Sequence, residues 1–557
     1  MKIPYTLLDF SGEVKSMDSQ WDMTLLKDIL QGNTWQPAQG YEFVEDSSDG
    51  FTARNKGGVI IIPARQNAGK EYYIQGYLKG LEWCVVILIG DEERSFDYKK
   101  LEHPKMKLWL MHPALEDKAD YYLGSGYTPH TRGVHGDFDK PLDWSFMGQN
   151  NHSRRQEAID VLDKMLNRED IKGYLETSDG FTRGVEKETY ISLTAQSKAV
   201  PAPSGIASPD SFRVYEALEL GAVPIADDIS NLITKAGYWR KIFGEHDIPF
   251  KVLTDYANLE GYIGDIVRDY PSYNNKVFAW WQGVKRDIVY KLNEHVHELS
   301  GIDYPNNDIR HKITVLILTS PIADHPSTKI IDQTISDLRK VLPDCEIIIG
   351  IDGVRTEQED YRERYELYKQ HFLWKCNNEW TNILPVVFDN HMHQAAMTRQ
   401  LLKLVKTPTL LFVEHDTALA PDFEYDWEKF VQAIETGSVY TIRFHFEAVI
   451  PEEHKHMMIG EVEDICGLPL LKTSQWSQRP HLSSTVFYRD MMDRYFTDDS
   501  RTMIEDKVHG YPAEAYRTDG LLGWYNWRLW IYHPERNIKR SYTTDGRGND
   551  PKYEMVF

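Results

Sequence analysis

Cysteine is scarce in this sequence of 557 residues, and the four cysteines lie far apart. They are Cys84, Cys345, Cys376 and Cys466, and none of them forms a CxxC pair. Disulfide frameworks and structural zinc sites use closely spaced cysteines, so the pattern argues against both. It predicts reduced thiols in a cytosolic protein.

Long hydrophobic runs are also missing. No apolar stretch approaches the ~20 residues that a membrane-spanning helix needs. The N-terminal residues MKIPYTLLDFSGEV contain no apolar core of the kind found in secretory signals. We therefore expect a soluble protein without a transmembrane segment, located in the cytoplasm, or in the host cytoplasm if the source is viral.

Excess positive charge is the third absence, because the formal net charge is -22. A strongly acidic chain lacks the global electrostatic footprint of a nucleic-acid-binding protein, although a local basic groove stays possible. The hydrophobic fraction of 41% and the aromatic fraction of 12% are typical of a folded chain. The length predicts about two to four domains. The aromatic side chains suit either protein cores or the faces of sugar rings.

Regular organisation begins at residue 57. The short apolar runs Val59–Ile62, Val85–Ile89 and Leu108–Met111 are separated by polar segments. Continuous runs of this kind predict strands that are buried on both faces, as in a parallel sheet with intervening helices. Residues 1–56 are polar and mixed, and we expect them to form an N-terminal cap or extension.

The segment 190–228 carries the strongest pattern in the first half. Its residues 201–205, PAPSG, predict a turn-rich loop, and a helix is expected from about Ser211 to Gly221. A loop followed by a helix N-terminus makes an anion site, to which Arg213 would add a guanidinium. Glu216 lies three residues further on the same helical face and can accept hydrogen bonds from two ribose hydroxyls. Alternatively, Arg213 and Glu216 simply pair on a surface helix.

These residues resemble a known family. The pattern S-x-R-x-x-E-A-[LI]-x-x-G-[AC]-[VI]-P, which begins at Ser211, is similar to the donor-binding segment of exostosin-like glycosyltransferases. Phe146-Met147-Gly148 and Arg154-Arg155 also resemble that family. The resemblance covers about residues 57–300 and implies a GT-B fold of two Rossmann-like halves.

The two halves implied by this resemblance are residues 57–140 and a donor-binding half at 141–300. It implies that a nucleotide-sugar donor is held by Arg213 and Glu216, with Ser211 and Gly205 in the same anion-binding segment. The following residues 301–312 are polar and turn-rich and predict an interdomain linker.

A second α/β pattern starts at Ile313. The runs 313–320 and 346–353, with a helix between them, predict a right-handed βαβ unit. Asp352 ends the second strand, where the ribose or base of a nucleotide would lie. A later basic helix places Arg399 where it can meet phosphate.

This helix leads directly into the apolar run LLFVEHDTAL at 410–419. Side chains alternate along a strand, so Glu414 and Asp416 are expected on one side of it. Carboxylate oxygens at a strand end suit Mg²⁺ or Mn²⁺. The alternative is an ordinary strand that is followed by a polar turn.

The order of elements over about 313–545 resembles the GT-A fold of nucleotide-diphospho-sugar transferases, so we predict a GT-A domain at 313–557. In that fold a DxD-type motif binds Mn²⁺ or Mg²⁺ and, through it, the donor diphosphate. Here Glu414 replaces the first aspartate of the motif, while Asp416 retains the second. The resemblance implies His533 as a third metal ligand, although a lone histidine among aromatic residues is often structural.

The sequence Met503-Ile-Glu-Asp-Lys507 resembles the acidic motif that supplies the catalytic base in inverting GT-A enzymes. A base must remove the proton of the acceptor hydroxyl as the glycosidic bond forms. We assign this role to Asp506, with Glu505 as the second candidate. Alternatively, both carboxylates only complement a helix dipole.

The leading hypothesis is a two-module α/β glycosyltransferase, GT-B followed by GT-A, that transfers sugars from nucleotide-diphosphate donors, with UDP-sugars as the expected donors, to hydroxyl acceptors such as glycans. One alternative is a phage-type transferase that glycosylates hydroxymethylated pyrimidines of DNA, which the net charge disfavours. Another is a carbohydrate-binding or assembly protein in which one or both modules have lost turnover.

Overall fold

The computed structural model describes residues 3–14, 23–31, 41–43, 56–134, 138–178, 180, 184–244, 246–301, 308–534 and 539–544. The chain divides into two compact units. We call residues 1–304 with 373–381 the N-terminal unit, and residues 305–372 with 382–557 the C-terminal unit.

The N-terminal unit begins with a parallel sheet. Its described strands follow the order β2-β1-β3-β4-β5-β6. The elements are β1 (Ile3–Leu7), α1 (Thr24–Gln31), β2 (Tyr41–Phe43), β3 (Gly57–Pro63), α2 (Glu71–Leu78), β4 (Trp83–Ile89), β5 (Met106–Met111) and β6 (Tyr121–Leu123). Strands β3 and β4 are buried along their whole length, which explains their continuous apolar runs. The described part of 1–56 extends this sheet through β1 and β2 rather than covering it.

A second parallel sheet in the same unit has the order β11-β10-β9-β7-β8 in its described residues. The elements are β7 (Leu142–Gln149), α3 (Ser153–Leu166), β8 (Gly173–Ser178), α4 (Lys187–Ala195), β9 (Ser197–Ala202), α5 (Phe212–Glu219), β10 (Val223–Asp227), α6 (Tyr238–Phe243), β11 (Lys251–Leu253), α7 (Leu259–Arg268) and α8 (Ser272–Ser300). The expected loop at 201–205 is therefore shorter than predicted, because Pro201 and Ala202 pair with β10. Gly221, with φ +68°, ends the α5 turn as expected.

Helix α8 contacts both sheets of the N-terminal unit. Near its start, Trp281 Nε1 donates to Glu219 Oε1 of α5 at 2.5 Å. Near its end, Trp109 Nε1 of β5 donates to His295 Nδ1 at 3.0 Å. Helix α8 therefore runs from the second half of the unit back to the first sheet.

The C-terminal unit contains a mixed sheet with the order β14-β13-β12-β15-β20-β17-β21-β19-β18 in its described residues. The first elements are β12 (Ile313–Thr319), α9 (Lys329–Val341), β13 (Glu346–Ile351), α10 (Arg362–Asn378), β14 (Ile383–Val387), α11 (His393–Leu402), β15 (Thr409–Glu414), β16 (Thr417–Leu419) and α12 (Trp427–Glu435). The others are β17 (Thr441–Phe444), β18 (Met458–Ile465), β19 (Leu468–Thr473), β20 (His481–Ser484), α13 (Thr485–Tyr495), α14 (Ile504–Val508), α15 (Gly510–Asp519), α16 (Leu521–Tyr525), β21 (Leu529–Tyr532) and β22 (Ser541–Thr543).

The predicted βαβ opening is present, since β12 pairs in parallel with both β13 and β15. Two segments differ from what their composition suggests. The polar segment 479–485 contains β20, and the short apolar run at 486–488 lies in the first turn of α13. The Ser484 side chain accepts a hydrogen bond from Phe487 N at 3.4 Å, and this cap favours a helix over a strand in a short apolar run.

The boundary between the units is more complex than one linker. Residues 302–307 of the expected linker 301–312 lie outside the described residues, and Ile309–His311 form a 3₁₀ turn. Helix α10 begins in the C-terminal unit, but residues 373–381 belong to the N-terminal unit. There, Asn377 Oδ1 accepts from Arg132 Nη1 at 2.8 Å.

In the part of the chain that the structure describes, no helix has both the length and the apolar character needed to cross a membrane. None of the four cysteines, all of which lie within the described residues, forms a disulfide; Cys84, Cys345 and Cys376 are buried and Cys466 is half-buried.

Candidate functional sites

The N-terminal unit contains a cavity of about 730 Å³. It lies where the carboxyl ends of strands from both parallel sheets meet. Arg65 and Glu92, which follow strands of the first sheet, line the cavity. Gly148 at the end of β7 and Arg213 at the start of α5 line it from the side of the second sheet. Crevices at the carboxyl ends of parallel strands are the usual ligand sites of α/β folds.

Arg213 projects from the first turn of α5 into this cavity. Its Nε and Nη2 donate to Met147 O at 3.0 and 2.9 Å, and its guanidinium lies 5.2 Å from the centre of the Phe146 ring. The end of β7 therefore fixes the guanidinium by a forked hydrogen bond and by a cation–π contact. The residues of this strand end, Phe146-Met147-Gly148, resemble the same family as the segment that contains Arg213.

Gly148 makes room for that guanidinium. A Cβ atom at Gly148 would lie 2.0 Å from Arg213 Nη2. We expect Gly148→Ala to displace the guanidinium and to weaken anion binding in the cavity about tenfold. The free energy of unfolding should fall by only about 1 kcal/mol, because one hydrogen-bonded group at the end of a flexible side chain moves. Calorimetric titration with UDP measures the first effect and urea unfolding the second.

Gly264→Ala is the matched control, because nothing lies within 4 Å of a Cβ at that position of α7. It should leave UDP binding unchanged and should not destabilise the protein. Equal affinities in the Gly148 variant and the native chain would show that the Arg213 position does not matter.

A second arginine, Arg155 of α3, also faces the cavity. Its Nε donates to Ser204 O at 3.2 Å and its Nη1 to Asn151 Oδ1 at 3.2 Å. Burial lowers the pKa of Arg155 to about 10, and the positive charge of Arg213 contributes to the decrease. Two guanidiniums that repel each other in a concave site favour the binding of an anion between them.

Glu216 lies on the next turn of α5, with 5% of its surface exposed. Its carboxylate accepts from Tyr190 Oη at 2.6 Å and from Thr128 Oγ1 at 3.0 Å. Burial raises the pKa of Glu216 despite these hydrogen bonds and the nearby Arg213 charge. It lines the cavity as expected, but two hydroxyls of the protein already occupy positions that had been assigned to ribose hydroxyls. The surface pairing of Arg213 with Glu216 is also absent from the described contacts.

The loop before α5 lines the same cavity through Gly205 and Ser211. Gly205 N donates to Ser208 O at 2.9 Å, which closes the loop. Ser211 takes the N-cap position, but its side chain makes no capping hydrogen bond. The first turn of α5 thus presents its N-terminal dipole to the cavity.

In the C-terminal unit, β15 ends at Glu414 and the chain turns at His415–Asp416. Asp416 is therefore in a turn, and strand alternation does not bring the two carboxylates together. Burial, and after it the Asp416 charge, raises the pKa of Glu414 to about 7. The Arg479 charge and a hydrogen bond from Gln394 act in the opposite direction.

Gln394 connects this carboxylate to the acidic helix α14. Its Nε2 donates to Glu414 Oε1 at 2.7 Å, and its Oε1 accepts from Ile504 N at 2.7 Å. Glu505 follows, and its Oε2 accepts from Gln478 N at 3.0 Å. The structure thus brings the candidate metal ligand Glu414 and the candidate base Glu505 into one cluster, which the sequence treated as separate motifs.

Asp506, the preferred candidate for the base, is exposed in the first turn of α14. His533 follows β21, and its backbone N donates to Pro469 O at 2.9 Å. Burial lowers the pKa of His533, with a further decrease from the Arg540 charge. Within the described ranges, no three His, Cys, Asp or Glu side chains are arranged to hold a metal ion, so His533 does not join Glu414 and Asp416.

Two side chains that were expected to contact the nucleotide-sugar donor bind other residues of the chain instead. Asp352, 1% exposed, accepts from Met392 N at 2.6 Å and from His393 N at 3.1 Å, so its carboxylate holds the start of α11. Arg399 donates to Asp493 Oδ1 at 2.7 Å and to Asp498 Oδ1 at 2.9 Å. These contacts oppose the assignment of Asp352 to ribose and of Arg399 to phosphate.

No protein-family model and no curated protein sequence matches this chain. The similar solved structures include S. aureus TarS 1-349, at 14% identity and a TM-score of 0.28, with coverage of 42% of this chain and 60% of that chain. S. aureus TarS matches at 14% identity and a TM-score of 0.27, with coverage of 42% of this chain and 37% of that chain. TarS 1-349 in complex with UDP-GlcNAc matches at 14% identity and a TM-score of 0.27, with coverage of 44% of this chain and 62% of that chain. The matched region spans less than two thirds of each of those chains, and similarity at this level supports no statement about function.

Proposed function

We propose that the chain is a glycosyltransferase with two nucleotide-sugar sites, one in each unit. The observation that carries the proposal is the cavity of about 730 Å³ in the N-terminal unit, into which Arg155 and Arg213 both project. A nucleotide diphosphate has the size and the charge that such a site accommodates.

In the N-terminal unit, Arg155, Arg213 and the first turn of α5 would bind the donor diphosphate. These groups are fixed before the reaction and stabilise the negative charge that develops on the leaving diphosphate. Glu216 would hold Tyr190 and Thr128 in place beside the donor. No metal ion is needed for this arrangement.

We expect Arg213→Ala to weaken the metal-independent binding of UDP about tenfold to a hundredfold, because the guanidinium charge that would meet the diphosphate is lost. Arg213→Lys should recover only part of the affinity, since an ammonium cannot keep the forked hydrogen bond to Met147 O that fixes the group. Calorimetric titration in EDTA measures both.

Arg240→Ala is the matched control. Arg240 is exposed in α6 of the same unit and does not line the cavity, so its loss removes the same charge without the contact. Binding that is weakened equally in both alanine variants would reduce the role of Arg213 to general electrostatics.

In the C-terminal unit, Glu414 and Asp416 fit a divalent cation. Their oxygens are hard ligands. Burial and the Asp416 charge raise the pKa of Glu414, so a cation beside this carboxylate would stabilise its ionised form. When bound, Mn²⁺ or Mg²⁺ would supply positive charge to a leaving diphosphate. Glu414 and Asp416 would hold the ion, and Asp506, with Glu505 beside it, would take the proton of the acceptor hydroxyl.

The pKa of about 7 for Glu414 predicts how cation binding depends on pH. The protonated carboxyl does not bind the ion, so Mn²⁺ affinity should be about tenfold weaker at pH 6 than at pH 8. Titration of Mn²⁺ by electron paramagnetic resonance measures this change. In Glu414→Gln the affinity should be low at both pH values, and a native profile that does not change with pH would contradict the assignment.

A further inference from the structure

Arg443 is a buried cation whose contacts are incomplete. It lies in β17 opposite His481 of β20, and 5% of its surface is exposed. Its Nη1 donates to Gln475 Oε1 at 3.0 Å. Its Nε and Nη2 are buried and have no hydrogen-bond partner among the described residues. Buried donors without partners are costly, so such a group indicates a missing ligand.

The neighbourhood places Arg443 in the C-terminal site. Burial lowers the pKa of Arg443 to about 10, the Glu505 charge opposes this change, and the Arg479 charge adds to it. The same Arg479 charge acts on Glu414. His481 pairs with Phe412 of β15 on one side and with Arg443 of β17 on the other, so Arg443 lies two strands away from the strand that ends at Glu414. Gln475, which accepts from Arg443, and Gln478, whose backbone N donates to Glu505, belong to one short segment.

No carboxylate of the described residues satisfies this guanidinium. Glu505 uses Oε2 to accept from Gln478 N, and Nε and Nη2 of Arg443 have no hydrogen-bond partner within the described residues. Arg479 instead lies with its guanidinium 4.5 Å from the centre of the Phe446 ring. Guanidiniums without a direct carboxylate partner suit the charge and the acceptor oxygens of a phosphoryl group.

We propose that Arg443 and Arg479 form a phosphoryl-binding subsite of the C-terminal unit. The inference rests on the proposed function and makes the position of the substrate more specific. A phosphoryl group of the substrate would lie beside α14, the helix that carries the candidate base. That group comes from the donor diphosphate or from a phosphorylated acceptor.

The test compares Arg443→Gln with the native chain, using UDP with Mn²⁺ and then inorganic phosphate at saturating UDP, both by calorimetry. If the donor supplies the phosphoryl group, the Mn²⁺-dependent affinity for UDP falls about tenfold to a hundredfold. If the acceptor supplies it, UDP binding is unchanged and the binding of inorganic phosphate is lost. Unchanged binding of both probes overturns the inference.

Melting temperature separates binding from a structural role. Without ligand, Arg443→Gln should melt no lower than the native chain, because an incompletely satisfied buried charge is removed. A structural arginine would show the reverse. If the variant does not fold, Arg479→Gln, at a half-buried position, provides the same measurement.

Arg501→Gln is the control, because Arg501 is an exposed arginine of the same unit. It should leave the binding of both probes unchanged. Arg443→Lys should restore part of the lost affinity. If the native chain binds neither probe, the proposed function itself fails. If the native chain and Arg443→Gln bind equally, only the subsite fails.

Discussion

Replacing Asp416 by Asn is expected to lower the Mn²⁺-dependent release of UDP from a UDP-sugar by about 10³-fold. The amide keeps the size of the side chain but removes the charge that holds the cation. The loss of several kcal/mol of transition-state stabilisation corresponds to this decrease. Release of UDP that persists in EDTA should be unchanged, because it belongs to the N-terminal unit.

Asp519→Asn is the control for this experiment. Asp519 is exposed at the end of α15 in the same unit, so the substitution removes an equal charge away from the site. Mn²⁺-dependent turnover of Asp416→Asn near the native rate would remove Asp416 from the metal site.

Replacing Asp506 by Asn is expected to lower kcat of the Mn²⁺-dependent reaction by about 10³-fold with little change in the KM for the donor. A general base acts in the chemical step and contributes on the order of 10²–10⁴-fold. The donor is held by other groups, so its affinity should persist. Steady-state kinetics at saturating Mn²⁺ separate the two parameters.

Glu505→Gln is the informative comparison. Glu505 accepts from Gln478 N at 3.0 Å, and the amide oxygen of Gln can still accept this hydrogen bond. We expect a decrease in kcat of about tenfold, because charge near Arg443 is lost while the geometry persists. A larger decrease for Glu505→Gln than for Asp506→Asn would move the base to Glu505.

The strands could be predicted from the sequence because burial on both faces leaves a continuous apolar run. Val85–Ile89 and Ile313–Thr319 are clear examples, and both are strands of the structure. The run at 486–488 cannot be assigned in this way, because three apolar residues fit a strand and a helix equally well. The capping hydrogen bond that the Ser484 side chain accepts from Phe487 N decides between them, and it depends on the backbone position.

The candidate sites could be predicted only where one local motif supplies several groups. Arg213, Glu216 and Ser211 belong to one helix and its cap, and all three line the cavity. Gln394, Arg443 and Arg479 were missed because each comes from a different element, and only the sheet register and helix packing bring them together. Asp352 follows a strand as a ligand-binding carboxylate would, but the backbone of α11 occupies its oxygens.

The central claim is that the two units bind a nucleotide diphosphate by different means, one with guanidiniums and one with a divalent cation. Calorimetric titration of the full chain with UDP, in Mn²⁺ and in EDTA, tests it most directly. We predict two binding events per chain in Mn²⁺ and one in EDTA, with the latter weakened by Arg213→Ala. An absence of UDP binding in EDTA, or the same single event in both conditions, would contradict the account.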